Sequence, residues 1–237
     1  MLRINIVTIF PEFFTGTLGL SIPARAAAAG AVEYRVVDLR DFTHDRHRSV
    51  DDYPYGGGPG MVMKPGPFFE AVDALEATRP IVLMSARGRR FTQRDAVRFA
   101  EGSELTLLCG HYKDVDQRVA DHLATEELSL GDFVLTGGEP AALAIVDATV
   151  RLLPGAMSDL ESAYTDSFWE AAELSAPSYT RPPEYRGHEV PEVLLSGNHA
   201  AIAKWRRSEA ERLSEQRRAA HRTGNGSDGP IPRDDGG

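Results

Sequence analysis

Between Leu2 and Leu153 the chain alternates short apolar runs with longer amphipathic ones, and few architectures accept that rhythm. "RINIVTIF", "VEYRVVDL", "PIVLMS", "LTLLC" and "FVL" read as strands. A stretch ending at "RAAAAG", then "GPFFEAVDALEA", the segment opened by "TQRD", "DVDQRVADHLA" and "PAALAIVDATVRLL", read as helices. Near-continuous apolar strands joined by helical crossovers predict a parallel sheet covered by helices, an α/β fold. Local punctuation agrees. Gly30 stands where a helix C-cap is expected, "TQRD" has the form of a capping box, and Pro140 suits a first helical turn. "LSLGDFVLTGGEPAAL", from Leu128 to Leu143, places glycines on both sides of a very short apolar run. Glycine there lets the backbone approach something closely.

Beyond Pro154 the periodicity weakens. "PGAMSDLESAYTDSFWEAAELSAP" reads as a linker with large apolar residues, and the Pro-rich "YTRPPEYRGHEVPEV" excludes a long helix. "NHAAIAKWRRSEAERLSEQRRAAHR" reads as a basic amphipathic helix or helix pair, and the Gly/Asp/Pro-rich end as a disordered tail. The expected organisation is an α/β domain over 1–157, a linker over 158–176, a mainly helical domain over 177–222 and a tail over 223–237.

Composition narrows the class. With 42% apolar and 26% charged residues, the chain of 237 residues has the make-up of a folded globular protein. No apolar run approaches the ~18 residues of a membrane span. "MLRINIVTIFPEFF" lacks the basic region and cleavage site of a signal peptide, and its Leu2, Ile4, Ile6 alternation reads as a buried strand. One cysteine, Cys109, excludes an internal disulfide framework, and a cytoplasmic location is expected. The net charge of −9 does not advertise a nucleic-acid binder. Yet Arg181 to Arg222 holds nine Lys/Arg against six Asp/Glu, and "RDFTHDRHR" forms a second basic cluster from Arg40 to Arg48. Local basic patches on an acidic whole are compatible with RNA binding.

Absent motifs exclude other chemistry. No GxGxxG follows a strand and no Walker A lysine is present, so a dinucleotide or P-loop site is not expected. His44 and His47 have no completing ligand set at metal spacing, and Cys109, at the end of an apolar strand, reads as a small core residue. "GGGPG" at Gly56–Gly60 reads as a surface turn or a loop covering a ligand. The remaining signals, "MSARG", "CGHYKDVDQR", "SLGD" and "LTGGEP", fall at the C-terminal ends of predicted strands, where open parallel sheets bind ligands. Glycines terminate strands ordinarily; several such turns at one sheet edge point to a pocket whose exposed backbone groups read a flat ligand.

"VDDYPYGGGPGMVMKP", "CGHYKDVDQRV", "LSLGDFVLTGGEPAALAIVDATVRLLPG", "DSF", "YTRPPEYRG" and "VPEVLLSGNHAAIAKWR" together resemble bacterial tRNA (guanine-N1)-methyltransferases acting at tRNA position 37. The resemblance runs from Ile4 to about Arg222. It implies a SPOUT-type fold with a deep trefoil knot in the C-terminal part of the α/β domain, a homodimer, and S-adenosylmethionine bound in the knot. It assigns the cofactor to Leu83, Met84, Ser85, Ala86, Gly88, Gly110, Tyr112, Ser129, Leu130, Gly131, Asp132, Phe133, Leu135, Gly137, Gly138 and Ala141. It makes Asp166 the general base and places Arg151 near the methyl acceptor. The anticodon stem-loop would be gripped by Arg46, Arg48, Arg181, Arg186, Lys204 and Arg206. Read without the resemblance, Asp166 is a helix N-cap in "TDSFWEAAEL". Where the family commonly reads Cys-Gly-Arg-Tyr-Glu-Gly, this chain has His111, Lys113 and Asp114, and Ala86-Arg87 stands where many members have Pro-Gln. Lys113 reverses a usually acidic position, so no metal site is carried over and magnesium dependence stays open. The competing expectations are a knotted methyltransferase acting on another base or a ribose, and a non-catalytic tRNA-binding protein.

Overall fold

The computed structural model describes residues 1–157, 165–169 and 174–224. The chain divides into two compact units, Met1–Leu160 and Glu161–Gly237.

The first unit is built on five parallel strands, β1 (Leu2–Thr8), β2 (Val32–Asp38), β5 (Ile81–Arg90), β6 (Glu104–Leu108) and β8 (Glu126–Ser129), in the order β2-β1-β6-β5-β8. The parallel α/β expectation is met. Alternation along each strand explains why both faces are covered. Leu2, Ile4, Ile6, Val82, Met84, Leu105 and Leu107 belong to one apolar cluster, whereas Val7, Ile81, Leu83 and Leu108 belong to the other. Helices α1 (Glu12–Leu18), α2 (Ser21–Ala28), α4 (Gln93–Ala100) and α6 (Glu139–Val150) supply Phe14, Ala26, Phe99, Ala142, Ile145 and Val146 to the first cluster. Helices α3 (Pro65–Ala74) and α5 (Gln117–His122) supply Phe68, Ala71, Val72 and Val119 to the second. Asn5, a buried polar residue of β1, donates to Glu104 Oε1 at 2.8 Å and Thr106 Oγ1 at 3.0 Å. This pairing meets the donor side of a buried amide.

Helix boundaries follow the sequence chemistry. Gly30 adopts φ +68° just past α2 and donates to Ala27 O at 3.0 Å. The capping box at Thr92 is present, with its N–H donating to Asp95 Oδ2 at 2.9 Å. The stretch ending at "RAAAAG" makes two short helices rather than one.

Three readings need correction. Phe133-Val134-Leu135 is not a strand; it lies in an irregular segment, and the last strand is Glu126–Ser129. Glu126-Glu127-Leu128-Ser129 escaped a hydrophobicity reading because it is an edge strand carrying two acids, hydrogen-bonded to β5 alone. "DVDQRVADHLA" splits into a two-residue strand β7 (Asp114–Val115) and α5. The strand pairs with β4 (Val62–Met63), itself antiparallel to β3 (Asp51–Asp52), and this pairing overrides helical propensity before Asp116. "PIVLMS" extends to Arg90: Met84 and Arg89 both face Leu128, so Ser85 to Gly88 form an excursion from the ladder.

The second unit contains a hairpin, β9 (Glu184–Tyr185) with β10 (His188–Glu189), a short helix α7 (Glu192–Leu195) and α8 (His199–Gly224). The basic segment is thus a single helix. Residues 165–169 are turns and bends; the rest of the possible helix in "TDSFWEAAEL" reaches 170–173, outside the described residues, as do most of the predicted linker's first half and the tail from 225.

Candidate functional site

The parallel strands deliver three segments to one edge of the first unit. Met84 to Arg87 leave β5, Gly110 to Val115 follow β6, and Leu128 to Gly138 run from β8 to α6. With Ala141 they line a cavity of about 370 Å³. Its position at the C-terminal ends of the strands is where parallel α/β sheets bind ligands. The cavity collects Met84, Ser85, Ala86, Gly110, Tyr112, Ser129, Leu130, Gly131, Phe133, Leu135, Gly137, Gly138 and Ala141 from the residues singled out in sequence. Leu83, Gly88 and Asp132 do not line it. Leu83 is core, Gly88 packs on the β8 backbone, and Asp132 pairs with Arg90.

Glycine is required where the last lining segment packs against the one after β6. A Cβ on Gly138 would lie 2.9 Å from Cys109 Cα and from Met84 Cβ, and Gly138 N–H donates to Gly110 O at 2.9 Å. A Cβ on Gly137 would lie 2.1 Å from His111 Nε2 and 2.4 Å from Glu139 Oε2. Those two side chains are themselves in contact, Nε2 to Oε2 at 3.0 Å, and the other carboxylate oxygen accepts from Thr8 Oγ1 at 2.6 Å. Burial pushes the Cys109 thiol well above its usual range, with the nearby Glu139 carboxylate adding to the effect, so it stays a protonated core residue as expected.

The opposite wall is apolar and open. Phe133 and Val134 are 55% and 87% exposed, and Phe133 folds back towards Gly131. Arg87 Nη2 reaches Asp114 Oδ2 at 2.8 Å across two of the lining segments. Tyr112 is exposed and holds φ +61°, a conformation non-glycine residues seldom adopt without cause.

An ion network anchors β5, α4 and β8. Arg89 reaches Asp95 at 2.6 Å and Glu126 at 2.5 Å, and Arg98 reaches the same two acids at 3.2 and 2.7 Å. Burial alone would raise the Asp95 carboxyl; hydrogen bonds from Arg89, Thr92 and Arg98 outweigh it and hold the group well below its usual range.

A second, larger cavity of about 1160 Å³ lies within the second unit. Asp166, Arg181 and Arg206 line it, with Phe168, Trp169 and Arg207. Asp166 sits in an exposed bend; Arg217 lies over the Phe168 ring at 4.6 Å, and Tyr179 meets Trp205 at 6.3 Å. Basic groups among aromatic faces suit nucleobases and phosphates. Lys204 is exposed on α8, and Arg186 stacks on Tyr185 at 5.2 Å; neither lines this cavity. Arg151 is the C-cap of α6, half-buried. Arg46 and Arg48 are exposed in the loop after a 3₁₀ turn, with Arg48 paired to Asp41.

The family model described as tRNA (Guanine-1)-methyltransferase TrmD matches residues 2–221. The chain belongs to this family. It is 48% identical over 220 residues to the tRNA (guanine-N(1)-)-methyltransferase of Geobacillus kaustophilus (strain HTA426), covering 92% of this chain and 90% of that one. It is 49% identical over 221 residues to the protein of the same name from Bacillus cereus (strain AH820), again over 92% and 90%.

Membership in the tRNA (Guanine-1)-methyltransferase family implies S-adenosylmethionine as methyl donor. The first cavity fits such a group: backbone turns that need glycine at 137 and 138 to pack against their neighbours, facing an exposed apolar wall at Phe133 to Leu135. Among the described residues no group of three His, Cys, Asp or Glu could hold a metal ion, and no helix is long and apolar enough to cross a membrane. Arg87 and Val134 fall within the loops expected to hold the cofactor without being singled out there; His111, Lys113, Asp114, Val115, Leu128 and Thr136 were not assigned to it, nor was Glu139 behind them. Val134 had a signal, an apolar residue in a glycine-bounded run too short for a strand. Glu139 had one too, a lone acid at the start of an apolar helix.

Proposed function

We propose that this protein transfers a methyl group from S-adenosylmethionine to N1 of guanosine at tRNA position 37, beside the anticodon, and so supports reading-frame maintenance. The family match from residue 2 to 221 carries this reading. The donor binds in the first cavity, held by Met84 to Ala86, Gly110, Tyr112, Ser129 to Gly131, Phe133, Leu135, Gly137, Gly138 and Ala141. These segments belong to a SPOUT-type trefoil knot, and the working enzyme is a cytoplasmic homodimer.

When bound, S-adenosylmethionine supplies an activated methyl group on a good leaving group, so no protein nucleophile is needed. The acceptor sets the demand on the chain. Guanine N1 carries a proton at neutral pH, and removing it makes the nitrogen nucleophilic. Asp166 takes that proton; a positioned carboxylate contributes roughly 10²–10⁴-fold. Charge then spreads towards O6, where the Arg151 guanidinium stabilises it. The base must leave its stack to react, and the aromatic-basic cavity around Phe168 and Trp169 suits an unstacked nucleotide. Arg46, Arg48, Arg181, Arg186, Lys204 and Arg206 neutralise tRNA phosphates.

Incubation of the full chain with labelled S-adenosylmethionine and unmodified tRNA, followed by digestion to nucleosides, tests the reading. The expected product is 1-methylguanosine. Label in another nucleoside or in a ribose methyl ether rejects it.

A further inference from the structure

We propose that Glu139 is a positioning residue of the first cavity, acting by fixing which imidazole nitrogen of His111 carries the proton. The proposal rests on the reading of that cavity as the methyl-donor site. Glu139 is 2% exposed, and both its oxygens are engaged, one by Thr8 Oγ1 at 2.6 Å and one by His111 Nε2 at 3.0 Å. Thr8 ends β1, His111 follows β6, and Glu139 opens α6. One carboxylate therefore ties the end of β1 to two of the segments that line the cavity, and His111 is the member that lines it itself.

An ionised carboxylate only accepts hydrogen bonds. Its contact with Nε2 requires the proton on that nitrogen and leaves Nδ1 as the other tautomeric position. The ring is also held in orientation. Phe10 meets it edge-on at 4.9 Å, Tyr112 at 6.2 Å, and the His111 backbone N–H donates to Met63 Sδ at 3.0 Å. Gly137 closes the remaining side, since a Cβ there would collide with both Nε2 and Oε2. The buried Cys109 thiol lies beside Glu139, and the Arg40 guanidinium lies over the Phe10 ring at 5.7 Å. A ring with fixed rotamer and tautomer presents one hydrogen-bonding pattern to the ligand and loses little freedom on binding.

Glu139→Gln tests this. The amide keeps the size and the acceptor for Thr8, but presents an N–H to His111. Thr8 Oγ1 already accepts from the Phe10 N–H and donates towards residue 139, which holds the amide oxygen on Thr8; Nε2 then accepts, and the proton moves to Nδ1. Nitrogen NMR of histidine-labelled full-length protein reads the tautomer, and calorimetric titration with S-adenosylmethionine reads affinity. Wild type is expected as the Nε2–H tautomer and Glu139→Gln as Nδ1–H. Donor affinity should weaken about tenfold or more, the scale seen for carboxylates that orient metal-ligating histidines. His111→Gln should weaken binding comparably, and the double variant should lose little more than either single one. His111→Gln with unchanged affinity overturns the proposal, also where Glu139→Gln does not fold. So does a folded Glu139→Gln whose tautomer inverts without loss of binding, or a wild-type Nδ1–H tautomer. Failure of wild type to bind S-adenosylmethionine at all instead rejects the site reading beneath it.

Discussion

Gly137 and Gly138 bring the last segment against the one after β6 so closely that a single methyl group cannot enter. The obstruction at Gly138 is backbone, Cys109 Cα at 2.9 Å, which cannot rotate away as a flexible side-chain end can. Gly138→Ala should destabilise the fold by about 1–3 kcal/mol through overpacking, and weaken S-adenosylmethionine binding beyond what lost stability explains. Thermal melting and donor titration together check this; unchanged binding would mean the turn does not shape the site. As the proposed base, Asp166 allows binding and chemistry to be tested separately. Asp166→Ala should retain donor affinity while single-turnover methyl transfer falls roughly 10²–10⁴-fold. A near-normal rate removes Asp166 from the role of base. At this scale the sequence showed where the backbone crowds, because glycine marks it directly. It misassigned Phe133 to Leu135 because exposed ligand-lining residues and buried strand residues are equally apolar. It was silent on Glu139, whose function depends on Thr8 and His111, more than a hundred and nearly thirty positions away respectively.

Among elements, β5, α4 and β8 depend on Asp95 to converge. Its carboxyl is held below the unfolded value of 3.8, so the folded state binds its proton less readily than the unfolded one does. The resulting stabilisation is fully present above the unfolded value and is lost as pH falls from about 4 through the lower folded value. Asp95→Asn should therefore cost about 1–3 kcal/mol near neutral pH, discounted because Arg89 and Arg98 are half exposed. The gap from wild type should narrow in acid. Denaturant unfolding at pH 7 and pH 3 measures both; a gap independent of pH assigns the effect to packing alone. The capping box around this acid was legible, as were β1, β2, β6 and the β5 start, because buried parallel strands are continuously apolar. The excursion from Ser85 to Gly88 was not, since register arises from pairing with β8 rather than from any local pattern.

For the molecule as a whole, the question is how a chain of net charge −9 holds a polyanion. The proposed answer is local: basic groups concentrated on α8 and in the loop around Arg46. Lys204→Ala and Arg206→Ala should each weaken tRNA binding with little dependence on sequence and reduce its salt slope by about one, leaving donor affinity unchanged. Filter binding across a salt series reads the effect; an unaltered slope means these side chains meet no phosphate. The parallel α/β class was readable from alternation alone. A knot is not readable that way, because threading is set by the order in which distant segments pass and leaves no local mark. The most direct test of the account uses a tRNA transcript with guanosine at positions 36 and 37 and a second transcript with adenosine at 37. With labelled S-adenosylmethionine, the first should gain one methyl group, mapped as 1-methylguanosine at position 37, and the second none. Methylation at another nucleotide in either transcript, or tRNA binding without any transfer, contradicts it.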